Sequence, residues 1–140
     1  MYSAVDLSKY VVSRCIKKEN PISNLHLQKI LYYIQKDFLC KKGDIAFPDT
    51  IEAWQFGPVV PIVYYYFCAY GAMPITDYYD VSIDEDDSFI IDTIIDEKCI
   101  KDPWELVAET HKPNGAWDQV YKNGNGNHNP IPIELIKEVG

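Results

Sequence analysis

Three histidines and four cysteines offer the widest chemistry in this sequence, and their spacing restricts what that chemistry can be. Cys15, Cys40, Cys68 and Cys99 form no C-x-x-C pair and have no histidine at ligand spacing, which argues against a zinc site. Each falls in or beside an apolar helical run, so the expectation is buried, reduced thiols. His26 sits early in a helical stretch, away from its main apolar stripe, and reads as a solvent-facing or partly buried structural side chain. His128 lies in a glycine and asparagine tract and reads as idle. His111 closes a helical segment beside Thr110 and near Trp117. A histidine there is either a C-terminal cap favoured by the helix dipole or, in a cleft with an acidic partner, the base of a small hydrolase or transferase.

The acidic run from Asp84 to Asp87 invites a calcium reading, but an EF-hand loop needs a glycine at its bend and a glutamate at its last ligand position, and neither follows. No metal site is expected. The glycines of NGNGN lack a preceding strand and a following lysine, so they are not a phosphate loop. G-x-S-x-G, H-E-x-x-H and dinucleotide glycine patterns are also missing. The residues therefore predict neither a cofactor nor a common catalytic centre.

Recognition is the other chemistry on offer. In IEAWQFGPVVPIVYYYF, Ile51 to Phe67, proline and glycine breaks stand beside a tryptophan, two phenylalanines and three consecutive tyrosines. One reading makes this a loop whose aromatics plug a core. The other leaves Gln55, Phe56 and one or two of Tyr64, Tyr65 and Tyr66 exposed, where rigid side chains on a proline-fixed loop lose little entropy on binding a protein. Glu52 could then meet a basic partner residue, with Trp54 beside it and Tyr32, Tyr33 and Gln35 lining the neighbouring wall.

The elements that must position these residues are mainly helical. Ser3 and Asp6 form a capping signal for a first helix carrying Ala4, Leu7, Tyr10, Val11 and Ile16. Asn20 and Pro21 break it. Ser23 or Asn24 caps a second, whose stripe of Leu27, Ile30, Leu31, Ile34, Phe38 and Leu39 ends near Gly43 and is broad enough to place that helix centrally. A short extended piece near Ile51 precedes a third helix from Ile62 to Tyr70, and the first part of Pro74 to Asp87, ahead of the acidic cluster, is a candidate to pair with that piece. Acidic residues before Phe89 favour a fourth helix start, Asp102, Pro103 and Glu105 a fifth, and Ile131 to Val139 a last short helix. Trp117 and Tyr121 fall on a turn and Asn123 to Asn129 on a mobile loop. The fold expected is a mainly α, compact bundle of about six helices with room for a two-stranded β ribbon, in one domain over residues 1–140.

Composition narrows the partners. With 47% hydrophobic and 24% charged residues the chain is globular, and a formal net charge of -8 favours a cationic partner over nucleic acid. The short basic pairs Lys17–Lys18 and Lys41–Lys42 make no nucleic-acid stripe. No apolar run approaches the ~20 residues of a membrane span, so the cytoplasm is the expected compartment.

The segment LHLQKILYYIQKDFLCKKGDIAFPDTIEAWQFGPVVPIVYYYF resembles the SocA-like, or Panacea, antitoxin domain family, also labelled phage-associated protein. The resemblance rests on LQK and LYY with Gln35 in the second helix, on Gly43, and on IEAW followed by GPVVP, Val63 and Tyr64. THKPNGAW, Thr110 to Trp117, matches the family's TH element and its tryptophan, bringing His111 and Trp117 into the candidate partner-binding set. The likeness spans roughly residues 5 to 122. It implies a helical domain without catalysis that binds and neutralises an adjacently encoded toxin, in some members handing it to a protease. A phage or host adaptor that binds protein without any toxin is the alternative. Thr76 to Asp87 is more acidic, and Lys112 to Ala116 longer, than the family pattern. No helix-turn-helix is appended, which leaves promoter binding by this chain unsupported.

Overall fold

A nineteen-residue helix, α2 (Asn24–Lys42), is the axis of the molecule, covered on nearly every side. The Ser23 hydroxyl accepts the His26 N–H at its start, and Gly43, at a left-handed φ of 70°, lets its last turn close onto Leu39. Helix α1 (Ala4–Lys17) packs beside it, its first turn capped by Ser3. Its Ala4, Leu7, Val11, Val12 and Cys15 are closed to solvent. The computed structural model describes residues 1–140, with helices α3 (Pro61–Tyr66), α4 (Glu85–Lys98), α5 (Pro103–Thr110), α6 (Ala116–Tyr121) and α7 (Ile133–Val139) arranged around α2. That makes seven α-helices and a mainly α fold.

A hairpin of β1 (Glu52–Trp54) and β2 (Gly57–Val59) pairs Trp54 with Gly57 across the two-residue turn Gln55–Phe56. A third strand, β3 (Asn129–Pro130), adds to the other edge of β1, giving the order β2-β1-β3. The ribbon therefore has three strands, and its third comes from the chain's end rather than from Pro74 to Val81. That earlier segment runs extended along the helices: the Ile75 N–H donates to the Ile22 carbonyl at 2.8 Å, and the Tyr79 N–H to the Ser13 hydroxyl at 2.7 Å.

The tract from Asn123 to Asn129 is bound to the structure by its backbone. Gly126 is buried, its N–H donating to the Tyr121 carbonyl, and a Cβ there would lie 1.7 Å from the Val120 carbonyl oxygen. The His128 N–H donates to the Ala53 carbonyl at 2.7 Å. Composition suggested a loop because the tract has no apolar side chains to bury, yet close backbone approach, which glycine permits, anchors it instead.

Three further expectations change. The third helix stops at Tyr66 and continues as a 3-10 turn over Cys68–Tyr70. Trp117 and Tyr121 lie on α6 rather than on a turn. Cys15 and Cys99 are buried, but Cys40 and Cys68 are exposed, because they fall on the outer faces of α2 and the 3-10 turn.

Electrostatics fastens α1 to α4. The Arg14 guanidinium donates two hydrogen bonds of 2.9 Å to the Asp96 carboxylate, which holds that carboxyl below its ordinary range. Asp87, in the acidic first turn of α4, is buried and accepts from the Tyr2 hydroxyl and the Lys42 ammonium. The acidic run therefore serves helix start and packing. No helix is long and apolar enough to cross a membrane.

Candidate partner-binding pocket

The hairpin turn holds its aromatics in place through backbone geometry. Gly57 has φ of 110°, a region L side chains rarely adopt, and a Cβ there would come within 2.7 Å of the Thr110 hydroxyl and 3.0 Å of Lys29 Cε. Only glycine lets β2 press this closely against α2 and α5. Pro58, which follows, has no N–H to satisfy, and its carbonyl accepts the Lys29 ammonium at 3.0 Å.

Beneath the hairpin, the first turns of α2 present an amide network. Gln28 Nε2 donates to Asn24 Oδ1 at 2.9 Å, Asn24 Nδ2 donates to the Tyr64 carbonyl at 2.9 Å, and Gln28 Oε1 accepts the Val60 N–H at 2.8 Å. These bonds fix the chain from β2 into α3 relative to α2. Asn24, Gln28 and Lys29 are all buried. Burial alone pulls the Lys29 ammonium from its ordinary 10.5 down to about 7, because no carboxylate stands against it.

Above this floor opens a cavity of about 620 Å³. One wall is Trp54, whose ring stacks on His128 with centroids 4.3 Å apart and meets Tyr64 edge-on at 5.1 Å. Its indole N–H donates to the Glu52 carboxylate at 2.9 Å. The lining also holds Phe56, from the turn, paired with Trp104, from the first turn of α5, edge to face at 5.2 Å. Phe56 is 46% exposed and Trp104 57%. Tyr65, 61% exposed, flanks Trp54 from outside.

A second aromatic tier supports the first. The His111 ring lies flat on Trp117 with centroids 3.7 Å apart, Trp117 stacks on Tyr121 at 4.6 Å, and the Trp117 indole donates to the Trp54 carbonyl at 2.8 Å. His111 Nε2 is buried without a hydrogen-bond partner. Its pKa is lowered by burial and, secondarily, by the nearby Lys29 charge. At the α5 end the ring thus sits on a stacking platform of Trp117 and Tyr121, with Asp118 the nearby charge of opposite sign.

Trp54, Gln55, Phe56 and Tyr64 line the cavity, with Tyr65 and Glu52 at its margin. His111 and Trp117 stand behind it. The other three expected residues lie elsewhere. Tyr32 is 2% exposed. Gln35 is sealed in the core, where its amide accepts the Ala46 N–H at 2.7 Å and donates to the Phe47 carbonyl at 2.8 Å. Tyr33 is half-buried with the Lys98 ammonium 4.2 Å over its ring. Because α2 is enclosed by its neighbours, faces that helical spacing leaves free are in fact covered.

Sequence reasoning passed over Asn24, Gln28, Lys29, Trp104 and His128. A signal existed: Asn24 and Gln28, four apart, with Lys29 next, put amides and a lysine in the first turns of the helix whose broad apolar stripe marks it as central. His26 shows the same enclosure. It is buried, with its Nε2 2.7 Å from the Lys98 carbonyl.

Comparison with known proteins places this architecture. The model of the family described as antitoxin SocA-like, Panacea domain, matches residues 27–118, from α2 into α6, and so takes in most of the pocket. Antitoxin SocA of Caulobacter vibrioides (strain NA1000 / CB15N) is 34% identical over 132 residues, an alignment covering 85% of this chain and 70% of that protein. No solved structure matches. On the strength of the family match and of this relative, the chain belongs to the SocA-like, Panacea-domain antitoxin family.

Proposed function

We propose that this chain neutralises a protein toxin by direct binding, through the face built around the β1–β2 turn. The observation that carries the reading is the gathering of Phe56, Tyr65 and Trp104, each about half exposed or more, around one open cavity on an internally hydrogen-bonded floor. Large apolar rings held outward at a rim are poorly placed for stability and well placed for recognition, because they bring contact area with few rotamers to freeze. A patch of ~800 Å² per side suffices for a stable complex. The mechanism is steric: the domain covers the toxin surface that does harm.

The formal charge of -8 supports a toxin of basic character, drawn in at long range. The family resemblance supports a later step in which the bound toxin passes to a protease, and toxin half-life with and without this chain reads that step. The primary test is co-expression. The neighbouring open reading frame is induced with and without this protein, growth is scored, and the complex is captured. Growth rescue with capture is the expected result. Phe56→Ala and Trp104→Ala are expected to weaken capture about 30-fold each while leaving thermal melting unchanged. A harmless neighbour, or rescue by a double Phe56→Ala/Trp104→Ala variant at wild-type affinity, overturns the reading.

A further inference from the structure

We infer that the cavity beside Trp54 receives the C-terminal residue of the toxin, an apolar side chain held between the aromatic walls with its terminal carboxylate turned toward Lys29. The inference rests on the direct-binding reading above and specifies the chemistry of the contact.

Three observations support it. The first is electrostatic: the chain has 21 acidic residues, yet no aspartate or glutamate lines this cavity. On a surface this acidic, a lining without carboxylates, with Glu52 at the margin bonded to the Trp54 indole, favours an anionic or neutral occupant over a cation. The second is Lys29. It borders the cavity while presenting no surface to water, and its ammonium has one acceptor, the Pro58 carbonyl. An ammonium has three donors, so a buried lysine without a carboxylate is incompletely satisfied. Gln28 and Asn24, beside it, are neutral amides bonded to each other and to the backbone, so they supply no counter-charge and make no hydrogen bond to its ammonium.

The third observation is shape. Two aromatic pairs, Trp54 with Tyr64 and Phe56 with Trp104, line the cavity together with the polar Asn24, Gln28 and Lys29. The occupant must therefore offer an apolar group and an anion a few ångström apart. A C-terminal apolar residue has both on a single Cα. An internal aspartate or glutamate has the anion without the apolar group. A carboxylate seated on this floor acts on Lys29 across protein rather than water, where charge interactions are strong.

The test uses three peptides of defined chemistry: acetyl-Gly-Gly-Phe as the free acid, the same peptide as its amide, and acetyl-Gly-Phe-Glu-Gly-amide. The chain has three tryptophans, and their indole N–H resonances in a 15N-labelled sample separate the pocket pair, Trp54 and Trp104, from Trp117 in the tier behind. The free acid is expected to shift the Trp54 and Trp104 signals and to bind about tenfold more tightly than the amide. Lys29→Met is expected to erase that difference, with the dispersion of the same spectrum reporting that the variant is folded. Equal binding of acid and amide to the wild-type chain overturns the assignment, as does an absence of shifts at about 10 mM peptide. Tighter binding of the internal-glutamate peptide overturns the terminal carboxylate in favour of a side chain. Growth rescue is scored separately: rescue with no acid preference removes the pocket assignment alone, whereas acid preference beside a harmless neighbour removes the toxin.

Discussion

Replacing Lys29 by methionine should flatten the pH dependence of stability, and the size of that effect follows from where the lysine sits. In the unfolded chain its ammonium releases a proton near 10.5, whereas burial under the hairpin brings this to about 7 in the folded chain. Between those values the unfolded state holds a proton the folded state has released, so stability rises as pH increases above 7. The window is bounded by other groups. His26 and His111, both lowered first by burial, add a rise that ends near 6.5. Cys15, pushed up to about 12 by burial, and Cys99, also raised, oppose the trend as pH passes about 9.

From about pH 7 to 8.5, then, Lys29 contributes a gain of roughly 1.6 kcal/mol at about 1.36 kcal/mol per unit. With a urea slope of about 2 kcal/mol/M, that moves the unfolding midpoint up by about 0.8 M. Lys29→Met leaves the Pro58 carbonyl without its donor, which costs about 1–3 kcal/mol at every pH, so the slope and not the absolute stability is the diagnostic. Urea titrations of both proteins at the two pH values provide the measurement. Equal slopes in wild type and variant would refute the argument, since they would mean that Lys29 keeps its proton throughout.

Two other substitutions test how the site is held. Gly57→Ala places a methyl 2.7 Å from the Thr110 hydroxyl at φ of 110°. It should destabilise by about 2–4 kcal/mol in urea and loosen the turn that carries Phe56, with wild-type stability counting against the close-approach argument. Gln35→Leu strips partners from the Ala46 N–H and the Phe47 carbonyl, and should cost about 2–4 kcal/mol by the same measurement while leaving toxin affinity of the folded protein unchanged. A loss of affinity at constant stability would put Gln35 back on the recognition surface.

Much of the fold was legible because its signals are local. Ser3, Ser23 and Asp102 announced helix starts, Gly43 a helix end, and each caps as its side chain or backbone allows. The breadth of the α2 stripe foretold a central helix. What stayed hidden depends on contacts distant in sequence. Strand β3 pairs Asn129 with Ala53 across 76 positions, and no two-residue strand has a periodicity to read. The same holds for the site. The turn residues Gln55 and Phe56 were visible from proline and glycine punctuation. Trp104, inside the start signal of Asp102, Pro103 and Glu105, drew no reading of its own although α5 carries it to Phe56, and His128 looked idle until the glycine tract folded it onto Trp54. Tyr32 and Gln35 show the converse: helical spacing gives a residue's angle on its own helix, not the number of neighbours that helix will acquire.

The two charge patterns of the molecule act at different ranges, and the distinction bears on what an antitoxin must do. A net charge of -8 acts across roughly a Debye length, about 8 Å at physiological salt, and governs encounter. It raises the rate at which a basic partner arrives without fixing where it docks. On the proposed reading the pocket acts at contact, where Trp54, Phe56 and Trp104 supply the apolar walls and a seated carboxylate favours the protonated form of Lys29 at the floor. Salt should therefore slow association while leaving the discrimination between peptide acid and amide largely intact, since the buried lysine is screened far less than the surface. Stopped-flow association between about 50 and 500 mM salt, set beside the peptide affinities over the same range, separates the two. If the acid preference collapses in step with the association rate, the preference comes from the surface field, and the buried lysine has no part in selecting the occupant.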